Sequence, residues 1–481
     1  MKSVLSPVQG LIFLAAYGLA IIAFTGWISR RYSRDKVEFL LANRSLKMWP
    51  AAMTIASSWI WAPALFISAQ KAYEEGVSGL SWYVMPNFLA LIVFAPLALR
   101  IRKKLPLGYT LPQLMRHRHG RGVHVLYLIQ FLGLQFCSYA VQILAGAAMI
   151  HTMTRLSFHL VALILAGITL TYTWFGGFRS TAITDFIQMV LMLGVASVVV
   201  PWVVIEAGGL SAIAGGLAGV RGGSTSPFDP WVAFTFGIPV TIGLLSGPIG
   251  DQMHWERAYA IQSDRKVIPT FLLAAVVFIT VPLTLSVLGF VAANPSVSAG
   301  WTIISNQMIA PVTVTNLLPG AMAVIYTLMV LAALCSTLDS VLCAAGSLFA
   351  VDIDQDTLER EKDEHDRRKL RIIRIGMLVT AVLGLGIACI PGLQIVHLFL
   401  FYGTWRASTM IPTVLTLYWD RLNSRPVFVA ILGSLIFGAP VYAAGTILKN
   451  PYLSVAGSLT VVLFGFLFCV IGTLLSKPRA G

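Results

Sequence analysis

Asp185, Asp251 and Asp339 each stand within a run of apolar residues long enough to bury them. A carboxylate in such surroundings is costly unless it is paired, hydrated or bound to a cation, so each marks a candidate ion or solute site. Asp339 lies in Ala332-Ala333-Leu334-Cys335-Ser336-Thr337-Leu338-Asp339-Ser340. There Ser336, Asp339 and Ser340 fall at i, i+3 and i+4, which puts three oxygen-bearing side chains on one helix face. Small hard cations take several oxygen ligands, so this face suits one. The competing use of the Ser336 and Thr337 hydroxyls is a bond back to the carbonyl one turn earlier. Asp185 ends the run Gly176-Gly177-Phe178-Arg179-Ser180-Thr181-Ala182-Ile183-Thr184-Asp185. It suits either a cation pathway or a helix start, where the dipole and Arg179 would meet it.

Two of the elements that must position these groups are interrupted. One carries Pro63 in Ala56-Ser57-Ser58-Trp59-Ile60-Trp61-Ala62-Pro63, and the other carries Pro239, Gly243, Gly247, Pro248 and Gly250 before Asp251. Proline has no N–H, so Pro63 frees the carbonyl of Trp59. The chain has 481 residues, 57% hydrophobic and 11% charged, with a mean hydropathy of +0.80. A soluble domain carries about 25% charged residues, so a water-soluble globule, a disordered chain and a fibrous protein are excluded and the solvent is lipid. A spanning helix needs about 20 apolar residues. Such runs fall near 8–29, 49–73, 78–99, 124–152, 158–178, 183–206, 230–252, 267–292, 319–349, 374–391, 393–418, 427–446 and 453–475, thirteen crossings. Freed backbone at membrane depth survives only where it is buried or lines a cavity. Broken helices at corresponding places in two halves point to a transporter with inverted repeats and a central site. The halves are 49–206 and 230–418 within one membrane transport domain, 1–481.

The net charge of +14 has its cause in topology. Alternating loops place Arg30 to Lys47 (with Arg34), Arg100 to Arg121, Arg257 to Lys266, Arg360 to Arg374, Lys477 and Arg479 on one side. Basic loops are cytoplasmic, so the N-terminus faces out and the C-terminus faces in, across a cell inner (plasma) membrane, with no nucleic-acid partner required. The first apolar run reads as a retained helix, since no small-residue cleavage site closes it. The five cysteines, in apolar spans, show no disulfide or metal spacing. No G-x-x-x-x-G-K-S/T phosphate loop exists, so no ATP-binding cassette is expected. Gly76-Val77-Ser78-Gly79 matches the short pattern of an intramembrane serine protease with Ser78 as nucleophile, a remote alternative. A nutrient sensor is a third reading, and it would need a separate signalling partner.

Four stretches together resemble the solute:sodium symporter family over most of the chain. They are Phe39-Leu40-Leu41-Ala42-Asn43-Arg44-Ser45-Leu46, Gly176 to Asp185, Asp251-Gln252 with Arg257, and Ser336 to Ser340 with Asp352. The resemblance implies an all-α polytopic membrane protein of the leucine-transporter type: two inverted five-helix repeats with one helix before and two after. It also implies no enzyme activity, and sodium as coupling ion. By the same resemblance the ion's ligands are the carbonyls of Ala56, Trp59 and Ala333 and the hydroxyls of Ser336 and Thr337. A second cation, or a proton in its place, would use Asp185, Asp339 and Ser340. The stretch Ser58-Trp59-Ile60-Trp61, the run Gln70 to Tyr83 and the basic loop at Arg102-Lys103-Lys104-Leu105-Pro106 are similar to the family's urea-transporter branch.

The expected function is inward solute transport coupled to sodium by alternating access, with proton-coupled uptake of urea or a similar neutral solute as the alternative. Solute is expected at the two broken helices, near Trp61, Gln135, Tyr139, Gln142, Gly247 and Pro248. Few basic residues fall within the spans there, apart from Arg406, which argues against a strongly anionic solute and favours a small neutral or zwitterionic one. Partners beyond the solute and the bilayer are not implied.

Overall fold

In lipid every backbone polar group must be satisfied within the chain, and helices do this segment by segment. The computed structural model describes residues 4–31, 35–222, 225–303, 305–354 and 362–476, and they form an all-helical, multi-pass membrane protein. Arg34, Arg360, Lys477 and Arg479 lie outside the described residues. Among the described residues nine helices are long and apolar enough to cross a membrane. In chain order the elements are α1 (Pro7–Ser29), α2 (Lys36–Leu41), α3 (Met48–Trp59), α4 (Ala62–Lys104), α5 (Leu111–His119) and α6 (Arg121–Thr154). There follow α7 (Phe158–Glu206), α8 (Leu210–Ala214), α9 (Pro230–Leu245), α10 (Gln252–Ala260), α11 (Asp264–Ala293) and α12 (Ile309–Leu317). The last are α13 (Gly320–Ile353), α14 (Lys362–Ala388), α15 (Ile395–Tyr418), α16 (Ser424–Ile447) and α17 (Pro451–Leu475).

Two elements are too long to be single crossings. α4 has 43 residues and α7 has 49. Straight helices of those lengths would extend about 65 and 74 Å at 1.5 Å per residue, twice the hydrocarbon thickness of about 30 Å. Each turns at a left-handed glycine, Gly76 (φ 64°, ψ −146°) in α4 and Gly177 (φ 59°, ψ −168°) in α7. A side chain is barred there twice over. A Cβ on Gly76 would sit 2.2 Å from the Leu217 carbonyl oxygen, and one on Gly177 would sit 2.7 Å from the Phe39 ring. Each long element is thus two helices joined at a turn; Gly76 falls between the apolar runs 49–73 and 78–99, and Gly177 falls at the end of the run 158–178.

The interruptions read from Pro63 and from Gly247-Pro248 are also present. α3 stops at Trp59, Ile60 (φ −84°, ψ 72°) leaves the helical conformation, Trp61 (φ −94°, ψ 176°) is extended, and α4 restarts at Ala62 with proline in its first turn. α9 stops at Leu245, residues 246–250 form turns, and α10 starts at Gln252 with Asp251 as its N-cap. The half-helix α3 packs with α7, α11 and α13, and α10 packs with α13, α4, α2 and α3. Their adjoining ends are joined by main chain: Leu46 N–H donates to the Ala260 carbonyl at 3.0 Å, and Gln262 N–H donates to the Leu46 carbonyl at 3.0 Å.

Candidate ion and solute site

The two breaks lie against each other. A Cβ on Gly247 would fall 2.3 Å from Cη2 of Trp59 and 3.1 Å from Nη2 of Arg406, so the backbone of the second break sits directly on the indole of the first. The free N–H at the start of α4 is capped from α6, where Gln142 Oε1 accepts from Ala62 N at 2.8 Å. The carbonyl of Ala56 accepts from Ile60 N at 3.0 Å, whereas the helical partner position of the Trp59 carbonyl is Pro63, which has no N–H.

Around these breaks lies a narrow enclosed cavity lined by Ser58, Trp59, Trp61, Leu134, Ser138, Asp251, Met253, Thr337, Tyr402 and Arg406. In this arrangement it has room for about one water molecule. Arg406 is 1% exposed. Its Nε donates to the Gly243 carbonyl at 2.8 Å, and its Cζ lies 5.8, 5.7 and 5.3 Å from the rings of Trp59, Trp61 and Tyr402. Its Nη2 has no hydrogen-bond partner among the described residues. Asp251 Oδ1 accepts from Gln135 Nε2 and from Met253 N, both at 3.1 Å. A cation and an anion therefore face one aromatic-walled space. The scarcity of basic groups expected at the breaks is corrected here, since Arg406 and Arg257 are both buried beside them.

Of the residues expected around the solute, Trp61 lines the cavity, Gln135 orients Asp251 and Gly247 supports Trp59. Pro248 lies in the same turn as Gly247. Gln142 is used as a helix cap, and the Tyr139 hydroxyl points to α7, 3.0 Å from Thr169 Oγ1. Tyr402 sits one helical turn before Arg406 on α15.

Beside the first break, Ser57 Oγ is 2.6 Å from Ser336 Oγ, which donates to Asp185 Oδ1 at 2.5 Å. The other carboxylate oxygen of Asp185 accepts from Thr54 Oγ1 and, at 3.0 Å, from Arg257 Nη2. Arg257 Nη2 also donates to Ser340 Oγ at 2.7 Å, Nε to the Thr54 carbonyl and hydroxyl at 3.2 Å, and Nη1 to the Met253 carbonyl at 3.1 Å. Arg257 and Asp185 are 0% exposed, so this ion pair is fully buried. Arg257 thus leaves the cytoplasmic basic set, because α10 is a helix inside the protein and not a loop. Arg179 does not meet Asp185; it pairs with Glu38 and donates to the Ala42 carbonyl at 2.7 Å.

The helix face of Ser336, Asp339 and Ser340 divides between two neighbours. Ser336 and Ser340 face the Asp185–Arg257 pair, whereas Asp339 Oδ2 accepts from Tyr172 on α7 at 3.0 Å. Thr337 opens to the cavity, with its hydroxyl 3.4 Å from the Ala333 carbonyl. Ser78 Oγ accepts from Asp229 N at 3.1 Å beside the turn at Gly76, a structural use for the protease-like tetrad. Sequence reasoning missed Arg257 and Glu256 as interior groups. The available signal was Asp251 followed by nine residues without glycine or proline, which is an N-capped helix.

The sequence profile of the sodium:solute symporter family matches residues 39–434. The chain belongs to this family. The family is, by its description, one of symporters that carry a solute with sodium. The symporter is 25% identical to a rice (Oryza sativa subsp. japonica) urea-proton symporter over 489 residues, 92% of this chain and 66% of that protein. It is 24% identical to the sodium/pantothenate symporter of Haemophilus influenzae over 474 residues, 96% of this chain and 94% of that one. Among solved structures, a substrate-bound, outward-open Na+-coupled sialic acid symporter superimposes with a TM-score of 0.79 at 16% identity, covering 98% of each chain. At that identity the likeness is one of fold.

Proposed function

We propose that this symporter couples inward movement of sodium to uptake of a small neutral or zwitterionic solute, with urea-like compounds as the first class. The observation that carries this reading is the pairing of Arg406 and Asp251 across one aromatic-walled cavity at the two helix breaks. A carbonyl or carboxylate of the solute would meet the unpartnered Nη2 of Arg406, and its amide or ammonium N–H groups would meet Asp251. A solute with a single strong negative charge would leave Asp251 repelled. Similarity to a urea-proton symporter over 92% of the chain favours urea, and also favours protons as an alternative driving ion.

Sodium would be held by the carbonyls of Ala56, Trp59 and Ala333 with the hydroxyls of Ser336 and Thr337. Carbonyl and hydroxyl oxygens replace a monovalent ion's hydration shell without the field of several carboxylates. The Ser57–Ser336 contact and the shared lining by Trp59 and Thr337 bring the two helices together where that ion would sit. Asp185, Asp339 and Ser340 remain the candidates for a second cation or proton, although Arg257 already contributes one positive charge between Asp185 and Ser340. We read the topology as thirteen crossings, with inverted repeats 49–206 and 230–418, an outer N-terminus and a cytoplasmic C-terminus. The two broken helices and the kinks at Gly76 and Gly177 support that count.

The test is uptake into proteoliposomes under imposed sodium or proton gradients, with urea, amino acids, sugars and carboxylates as solutes. Sodium-driven uptake of urea, with KM raised at least about tenfold in Arg406→Gln by loss of a charge-assisted hydrogen bond, is expected. Uptake that follows a proton gradient without sodium overturns the sodium assignment. An unchanged KM in the variant removes Arg406 from the solute site.

A further inference from the structure

Every residue of α10 from Gln252 to Ala260 is buried, and two consecutive ones are ionisable. Their surroundings differ sharply. The Arg257 guanidinium donates to Asp185, Ser340, Thr54 and Met253. Glu256 is 0% exposed, and its Oε1 accepts from the hydroxyl of Ser347 on α13. Its Oε2 has no hydrogen-bond partner among the described residues. The other groups within electrostatic reach are Asp251 and Cys343, an acid and a thiol, with Arg257 committed elsewhere. On the remaining elements packed against α10, Glu38 is held by Arg179, and Arg44 donates to the Gly108 carbonyl. Arg102 of α4 donates to the carbonyls of Ala258 and Ile261.

The buried carboxyls around the two breaks and α10 are Asp185, Asp251, Glu256 and Asp339, with the guanidinium groups of Arg257 and Arg406 among them; the buried carboxyls of Glu38, Glu74 and Asp352 lie beside Arg179, Lys71 and His124. Arg257 is paired with Asp185, and Arg406 shares the cavity with Asp251. Glu256 has one hydroxyl and no cation. An ionised carboxylate so placed carries an uncompensated desolvation penalty, and binding a proton removes it.

We propose that Glu256 is a proton-binding site of the transport cycle, protonated while α10 is packed against α13 and able to release its proton when that contact opens to water. The opening rests on the alternating-access reading of the fold; the protonated state does not. A proton from water adds to one carboxylate oxygen to give the neutral acid, whose other oxygen keeps the Ser347 hydroxyl. This site is separate from the one at Asp185, Asp339 and Ser340.

The experiment is infrared difference spectroscopy of the full-length protein in lipid at neutral pH, without added solute. Glu256→Gln keeps an acceptor for Ser347 and is expected to remove one carboxylic-acid carbonyl band. Ser347→Ala, which removes the donor to that carbonyl, is expected to move the same band to higher frequency, and it serves if the glutamine variant does not fold. If neither variant alters any carboxylic-acid band, the proposal is overturned. In proteoliposomes with urea as solute, wild-type uptake is expected to depend on pH and Glu256→Gln uptake to be flatter. Loss of the band in a protein that moves no urea would refute the urea reading alone.

Discussion

Asp185→Asn is the sharpest test of the buried ion pair. The substitution changes almost no volume, so it removes charge without opening a cavity. Asp185 accepts from Thr54, Ser336 and Arg257, with the guanidinium nitrogen at 3.0 Å and both partners 0% exposed. Asparagine has one acceptor oxygen and an NH2 group, so turning its oxygen to Arg257 and Thr54 points the NH2 at the Ser336 hydroxyl, and the reverse points it at the guanidinium. Two unit charges about 4 Å apart attract by about 4 kcal/mol at an effective dielectric of about 20. Removing one partner of a buried pair costs about 3–5 kcal/mol, because the other charge remains buried. An unfolding entropy of about 2.1 cal/mol/K per residue gives about 1 kcal/mol/K for this chain, so the melting temperature should fall by about 3–5 °C. The assay is thermal unfolding of purified protein in detergent, for the single variant and for Asp185→Asn with Arg257→Gln. The double variant should recover at least half of the loss, since no unpaired charge remains. A single variant melting within about 1 °C of the parent, or a double variant no more stable than the single, would refute the reasoning.

Two further outcomes follow from the geometry. Thr337→Ala removes one oxygen from the proposed sodium site, a loss of about 1–2 kcal/mol, and should raise the sodium concentration for half-maximal uptake about 5- to 30-fold; unchanged sodium activation would exclude Thr337. Gly177→Ala forces a side chain into a left-handed backbone against Phe39 and should cost at least about 1–2 kcal/mol, read as a lower melting temperature that Phe39→Ala partly restores.

The breaks were legible because proline and glycine act locally. Pro63 and Gly247-Pro248 disturb a helix whatever surrounds them, and both interruptions fall where those residues stand. Asp185, Asp251 and Asp339 were legible because charge is rare in so apolar a chain. The stretch Gln252-Met253-His254-Trp255-Glu256-Arg257 was not, since four polar or charged groups in six residues read as a loop. Only packing against α13 and α7 shows that these groups have partners inside the protein. Side-chain direction was equally hidden. Periodicity places Ser336, Asp339 and Ser340 on one face, but that face meets both an ion pair and Tyr172. Gln142 carries the right chemistry for a solute and instead caps Ala62, a choice made by a distance of 80 residues in sequence.

The short bridge between Leu46 and Ile261 has a mechanical meaning. Two main-chain hydrogen bonds clamp the start of α3 to the end of α10, so the two half-helices form one lever and transmit a push at either end to the other. The clamp uses no side-chain atoms. Residues 46, 260 and 262 are therefore free to vary in type without uncoupling the lever, except that proline at 46 or 262 would remove a donor and cut one of its two pins.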